Sequence, residues 1–250
     1  MLELQQIKKS FGTKDVLKDI HLTLPKGQIM SLLGPSGCGK TTLLNIILGL
    51  EQQSSGKIIW DGVDISQKPM QERGFNIVFQ DFALFPHLNA YDNIIYGLRN
   101  QKKGIDENHV QEYIEFLELS PHLKKKIHEL SGGQKQRVSI ARTLVMQPDI
   151  LLMDEPLSAL DGVIKETIKE RIQSISREFN LTTIIVTHDP EEALTLSDQV
   201  VILNDGHIAQ CGSPVEIVNE PANEFIESFI LQQLRVKRQN IYRLFGEQHA

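Results

Sequence analysis

An eight-residue stretch, Gly34-Pro35-Ser36-Gly37-Cys38-Gly39-Lys40-Thr41, sets the frame for the rest of the chain. Residues 28–33 before it (Gln-Ile-Met-Ser-Leu-Leu) read as a short buried strand. Residues 42–48 after it (Thr-Leu-Leu-Asn-Ile-Ile-Leu) read as a helix with one apolar face. A strand, a glycine-rich turn closing on Lys-Thr and a helix together form a phosphate cradle. Glycine lacks a Cβ, so backbone N–H groups can curl around an anion at close range. The helix N-terminus adds unpaired N–H groups and partial positive charge. Lys40 brings a full charge to terminal phosphates, and Thr41 offers a hydroxyl to Mg²⁺. The loop by itself fits an ATPase, a GTPase or a kinase equally.

The chain has 250 residues, 40% hydrophobic and 23% charged, the profile of a folded soluble protein. Its net charge of −6 argues against bulk nucleic-acid binding. No apolar run reaches the ~18 residues of a membrane-spanning helix. The opening residues lack a basic-then-apolar signal pattern. The expectation is therefore a cytosolic protein, brought to a membrane only by a partner. Cys38 and Cys211 suit neither a disulfide framework nor a metal site.

Residues 1–33 read as antiparallel strands. Leu2, Leu4 and Ile7 nearly alternate, and Ile20, Leu22 and Leu24 alternate strictly. From Pro86 to Met146 helical spacing replaces the β-branched runs. Val110, Ile114 and Leu117 fall opposite Glu112, Glu115 and Glu118 on a helix opening near Asp106. Strands return at residues 150–153, 183–186 and 200–203, separated by helical stretches, which predicts a mainly parallel sheet with helices on its faces. The apolar run 150–153 suits a strand covered on both sides. Residues 221–245 read as helix, turning basic at Arg235, Lys237, Arg238 and Arg243.

The strand 150–153 runs into Asp154-Glu155. Strand carboxyl ends in a parallel sheet face the ligand crevice. One carboxylate there can hold Mg²⁺ and a second can accept a proton from attacking water. Leu130-Ser131-Gly132-Gly133-Gln134 is a second signal. Ser131 and Gln134 fit a capping box, and the two glycines weaken the helix they open. Glycines at a helix start make sense where a ligand lies against the backbone, and a phosphate is favoured there.

With residues 135–138 (Lys-Gln-Arg-Val) and then residues 151–156 (Leu-Leu-Met-Asp-Glu-Pro), this stretch resembles the signature and Walker B regions of ATP-binding cassette (ABC) ATPases. The resemblance runs from Phe11 to about Phe229. It implies an α/β fold: a P-loop NTPase core with a mainly parallel sheet, an N-terminal antiparallel β region and an inserted α-helical subdomain. One ATPase domain is expected, with 1–85 and 147–220 as core, 86–146 as helical subdomain and 221–250 as helical tail. Gln80 matches the family's Q-loop, residues 158–161 (Ser-Ala-Leu-Asp) its D-loop and His188 its switch histidine. Phe11 takes the place of the aromatic that stacks on adenine, usually a tyrosine; the stacking face is kept.

The resemblance implies the following roles. ATP is bound by Phe11, Val16, Gly34, Pro35, Ser36, Gly37, Cys38, Gly39, Lys40, Thr41, Thr42, Gln80, Asp154 and His188. Thr41, Gln80 and Asp154 arrange Mg²⁺. Glu155 is the general base, with Lys40, Gln80 and His188 completing the catalytic set. Two copies pair head to tail, and Ser131, Gly132, Gly133, Gln134 and Asp161 of one close on the nucleotide of the other. Residues 79–94 resemble the corresponding region of importer ATPases for polyamines, ferric iron, sulfate, maltose and betaine. Phe82, Leu84 and Phe85 would then be exposed contacts for a transmembrane permease at the cytoplasmic face of the cell membrane. A solute-binding protein would take part indirectly, and no nucleic acid is expected. The alternative is a non-transport ABC ATPase acting on nucleic acid or ribosomes. The tail carries Leu231, Leu234, Ile241 and Phe245 on one face, fit for a partner subunit, a membrane surface or ordinary packing.

Overall fold

The computed structural model describes residues 1–99, 106–158, 160 and 162–246. Ten strands form two sheets among these residues. The first sheet contains β1 (Leu2–Phe11), β2 (Lys14–Leu24), β4 (Ser55–Trp60) and β5 (Val63–Asp64), in the order β2-β1-β4-β5 and antiparallel throughout. The second contains β3 (Ile29–Leu33), β6 (Phe75–Val78), β7 (Ile150–Asp154), β8 (Thr182–Thr187), β9 (Gln199–Asn204) and β10 (His207–Gly212), in the order β10-β9-β3-β8-β7-β6. Every pairing in it is parallel except the β9–β10 hairpin.

The antiparallel reading of residues 1–33 holds for β1 and β2 and fails for β3. All five β3 residues are buried, so the strand needs cover on both faces, and it pairs in parallel with β8 and β9. The imperfect alternation of Leu2, Leu4 and Ile7 has a backbone cause. The β1–β2 register shifts between Leu4 and Ile7, where Gln6 has φ 54°. One extra residue there turns Ile7 back to the buried side.

The parallel sheet divides two cores. Ile150 and Leu152 of β7 pack with Ile184 and Val186 of β8, Leu4 and Ile20 of the first sheet and the helix Lys40–Leu48. Leu151 and Met153 pack on the opposite face with Ile185, Ile94, Val110, Ile114, Val138 and Ile172. The period of two along each strand thus feeds both layers. The helix Lys40–Leu48 lies between the two sheets, and Leu43, Leu44, Ile46, Ile47 and Leu48 are all buried. The expected single apolar face is present and wide, with exposed Thr41 and half-buried Thr42 and Asn45 on the other side.

In the insertion, the Asp106 carboxylate caps the helix Glu107–Phe116 by accepting from the Asn108 and His109 amides. Val110, Ile114 and Leu117 are buried and Glu112, Glu115 and Glu118 exposed, as the spacing requires. A third, smaller core joins Leu33, Val200 and Ile202 to Ile217, Ile226, Ile230 and Leu231. The tail is helical at Glu224–Ile226, widens to a π turn at Glu227–Leu231, and continues as Gln232–Phe245. Leu231 is buried and Leu234 packs against this core, whereas Ile241 and Phe245 are exposed. Among the described residues no helix is long and apolar enough to cross a membrane.

Candidate nucleotide site

The sheet order β3-β8-β7-β6 sets four chain segments side by side at one edge. The loop from Gly34 follows β3, His188 follows β8, Asp154 ends β7 with Glu155 next, and Gln80 lies two residues past β6. These positions are far apart in the chain, and parallel pairing brings their carboxyl ends together.

Gly34, Gly37 and Gly39 have φ of 157°, 81° and 108°. A Cβ on Gly34 would lie 2.3 Å from the Leu203 carbonyl oxygen, and one on Gly39 would lie 2.7 Å from Leu17. On Gly37 it would enter open space, so that position needs glycine for its backbone angle alone. The buried Lys40 side chain folds back over the loop, and Nζ donates to the carbonyls of Gly34 at 2.6 Å and Pro35 at 3.0 Å. The Cys38 sulfur is buried 4.0 Å from the same ammonium. Burial pushes its thiol pKa up, with Lys40 opposing. Cys38 therefore sits as a small core residue beneath the loop. Beside the loop is a cleft of about 180 Å³ lined by Lys14, Val16, Gly37, Gly39, Lys40, Thr41 and Thr42. The Phe11 ring is exposed at the end of β1, with Lys9 Nζ 4.6 Å from its centroid. Glycines that keep side chains out, a fixed ammonium and two threonine hydroxyls fit a phosphate chain with its divalent cation.

At the end of β7, burial pushes the Asp154 carboxyl pKa up. The Glu155 charge adds to this and Lys40 opposes it. Glu155 has φ 46°, uncommon for a residue with a side chain, and its amide donates to the Val186 carbonyl at 2.9 Å. That bond ties the bend to β8, the strand that delivers His188. His188 Nδ1 is 3.0 Å from Glu155 Oε1. A carboxylate only accepts, so this contact places the ring proton on Nδ1. Behind His188, Asp189 accepts from the Glu191 amide and pairs with Lys165 at 3.3 Å and with Lys237 of the tail at 3.7 Å.

Ser131 and Gln134 lie at the start of the helix Gly132–Leu144, and the capping box forms. Ser131 Oγ accepts from the Gln134 amide at 3.3 Å, and Gln134 Oε1 accepts from the Ser131 amide at 3.1 Å. Gly132 and Ser131 are exposed, while a Cβ on the buried Gly133 would meet Ile164 at 2.7 Å. Asp161 lies outside the described residues.

Phe82, Leu84 and Phe85 differ from expectation. All three are half-buried rather than exposed. Leu84 packs against the helical core, and the Phe85 ring lies 4.2 Å from that of Tyr96. A surface cleft of about 250 Å³ remains beside them, lined by residues that include Ile77, Phe79, Phe85, Tyr96, Arg142 and Met146. Phe79 and Tyr96 are its exposed aromatics.

Sequence spacing missed two further groups. Arg73 is buried and donates to the Ile46 and Ile47 carbonyls, capping the C-terminus of the phosphate-loop helix, and also to those of Ser66 and Lys68. Arg142 and Ser139 donate to backbone carbonyls in the turn after Gln80. The missed signal at Arg73 is an arginine followed at once by Gly74 and an apolar strand, and it does not reveal the partner.

Residues 17–158 match the family model described as ABC transporter. The chain is 47% identical over 234 residues to the spermidine/putrescine import ATP-binding protein PotA of Mesoplasma florum, covering 93% of this chain and 67% of that protein. Against the protein of that name from Haemophilus influenzae the identity is 46% over 232 residues, covering 92% and 62%. The chain thus spans about two thirds of the length of these relatives. Its fold superposes on cbiO1 from Clostridium perfringens, part of the cbiONQ ABC transporter complex, with TM-score 0.82, 29% identity and 97% of each chain covered. For the dimeric bacterial ABC transporter cassette MJ0796 the TM-score is 0.75 at 30% identity, covering 86% of this chain and 99% of that one. The chain belongs to the ABC transporter family, as an ATP-binding subunit with the ATPase activity of that class. These relatives lend nothing to the nucleic-acid alternative.

Proposed function

We propose that this chain is the ATP-hydrolysing subunit of a membrane importer for polyamine-like organic cations, working as a head-to-tail pair at the cytoplasmic face. The observation that carries the catalytic part is the gathering of the glycine loop, Asp154-Glu155, His188 and Gln80 at one sheet edge. The polyamine assignment rests on the printed names of relatives at 46–47% identity.

In this reading Gly34, Pro35, Ser36, Gly37, Cys38, Gly39, Lys40, Thr41 and Thr42 hold the phosphates, with Val16 and the exposed Phe11 ring against the base. Mg²⁺, when bound, supplies charge neutralisation to the phosphates. Thr41, Gln80 and Asp154 would hold it. Glu155 accepts the proton of the attacking water, and His188, bonded to Glu155 in this structure, orients that carboxylate and contacts the terminal phosphate. Ser131, Gly132, Gly133, Gln134 and Asp161 close the partner copy's site. MJ0796, a structural relative, is dimeric, and one of its dimeric structures is a post-hydrolysis state bound to ADP and Pi.

The cleft bounded by Phe79, Phe85 and Tyr96 replaces the expected exposed Phe82–Leu84–Phe85 contact as the seat for the permease. With permease and solute-binding subunits reconstituted in vesicles, spermidine is expected to stimulate ATP hydrolysis, and an uncharged osmolyte is not. Stimulation by the osmolyte alone would overturn the polyamine assignment and leave the ATPase assignment standing.

A further inference from the structure

Gln80 sits in a turn held by a group outside the nucleotide edge. Phe82 and Ala83, two and three residues further on, have φ of 64° and 45°. Two consecutive non-glycine residues in the left-handed region are costly unless the surroundings fix them. Arg142 supplies a planar fork: Nη1 donates to the Ala83 carbonyl at 2.6 Å and Nη2 to the Phe82 carbonyl at 2.9 Å. Ser139 Oγ, one helical turn earlier, also donates to the Phe82 carbonyl at 2.9 Å. On the other side, Asp81 Oδ1 accepts from the Ala83 amide at 3.1 Å, and the Phe82 amide donates to Phe79 across Gln80.

Arg142 and Ser139 belong to the helix Gly132–Leu144, whose other end is the Ser131–Gln134 cap. Eleven residues at 1.5 Å each put Ser131 and Arg142 about 16 Å apart along one axis. One helix therefore grips the turn after Gln80 near its C-terminal end and, in the head-to-tail reading proposed above, offers its capped start to the partner's nucleotide. We propose that Arg142, supported by Ser139, is a positioning residue for Gln80, setting its turn in register with the signature helix. The proposal rests on the reading of Gln80 as a nucleotide-site residue. A lysine cannot reproduce the fork, because its single ammonium does not span two carbonyls in fixed geometry.

The test is steady-state ATPase kinetics of the full chain, normalised to nucleotide-competent sites counted with a fluorescent ATP analogue. Arg142→Ala is expected to lower kcat about tenfold or more with KM for ATP within about twofold, the signature of lost positioning. Gln80→Ala is expected to do the same. The double variant should fall no lower than the worse single one, because both act through one group. Arg142→Lys recovers part of the rate, and Ser139→Ala shows a smaller loss of the same kind. If Arg142→Ala does not fold, Ser139→Ala and Arg142→Lys in the Gln80→Ala background carry the same criteria. A structural role alone lowers the melting temperature and leaves kcat per competent site unchanged. That outcome, or losses that multiply in the double variant, overturns the proposal with Gln80's role intact. An unchanged kcat in Gln80→Ala removes the site reading first and the proposal with it.

Discussion

Glu155 and His188 are separated by 33 residues yet share a hydrogen bond of 3.0 Å. Removing the carboxylate's proton affinity while keeping its shape, as in Glu155→Gln, should leave ATP binding intact and slow single-turnover hydrolysis by about 10²–10⁴-fold. An unchanged rate would take Glu155 out of the general-base role. Asp154 carries a stability cost that can be read separately. Burial, reinforced by Glu155, raises its pKa in the folded protein, so above that pKa its charge destabilises the fold. Asp154→Asn should therefore raise the melting temperature of nucleotide-free protein at pH 7. The gain should shrink as pH falls through the raised pKa and vanish below the unfolded value. A gain independent of pH would contradict the electrostatic cause. Asp154 and Glu155 were visible in the sequence because an apolar run ended on them. The bond to His188 was not, since it depends on β7 and β8 being neighbours. The left-handed backbone at Glu155 leaves no mark on residue type either.

Helix ends were the most readable elements. Ser131 with Gln134 and Asp106 before its helix form the caps their residue types predict. Local hydrogen bonds within three residues need no tertiary information. The opposite end of the phosphate-loop helix was unreadable, because its cap comes from Arg73, 26 and 27 residues away. Arg73→Met keeps much of the volume and removes the donors to several buried carbonyls. It should cost about 3 kcal/mol of unfolding free energy by urea titration. A loss under about 0.5 kcal/mol, the range of ordinary surface changes, would mean those carbonyls find other partners. The half-burial of Phe82, Leu84 and Phe85 was also beyond pattern reading. Irregular segments carry no periodicity from which to assign a face.

The parallel sheet gathers the site, and its two-sided burial was foreseen from the unbroken apolar run 150–153. Strand order, which decides what meets what, was not foreseen, because several orders bury the same residues. The tail shows the same limit. Its inner half packs on the third core, while Val236, Ile241, Leu244 and Phe245 stay exposed. In the proposed reading, the capped helix start and the glycine loop of one copy are separate half-sites. In that reading a nucleotide joins those halves from two copies. Light scattering of the Glu155→Gln protein decides this. With Mg²⁺ and ATP the mass should rise from 28.3 kDa to twice that value, and adding Ser131→Arg should hold it at the single-chain mass while ATP still binds. A Glu155→Gln protein that binds ATP and keeps the single-chain mass at every concentration would contradict it.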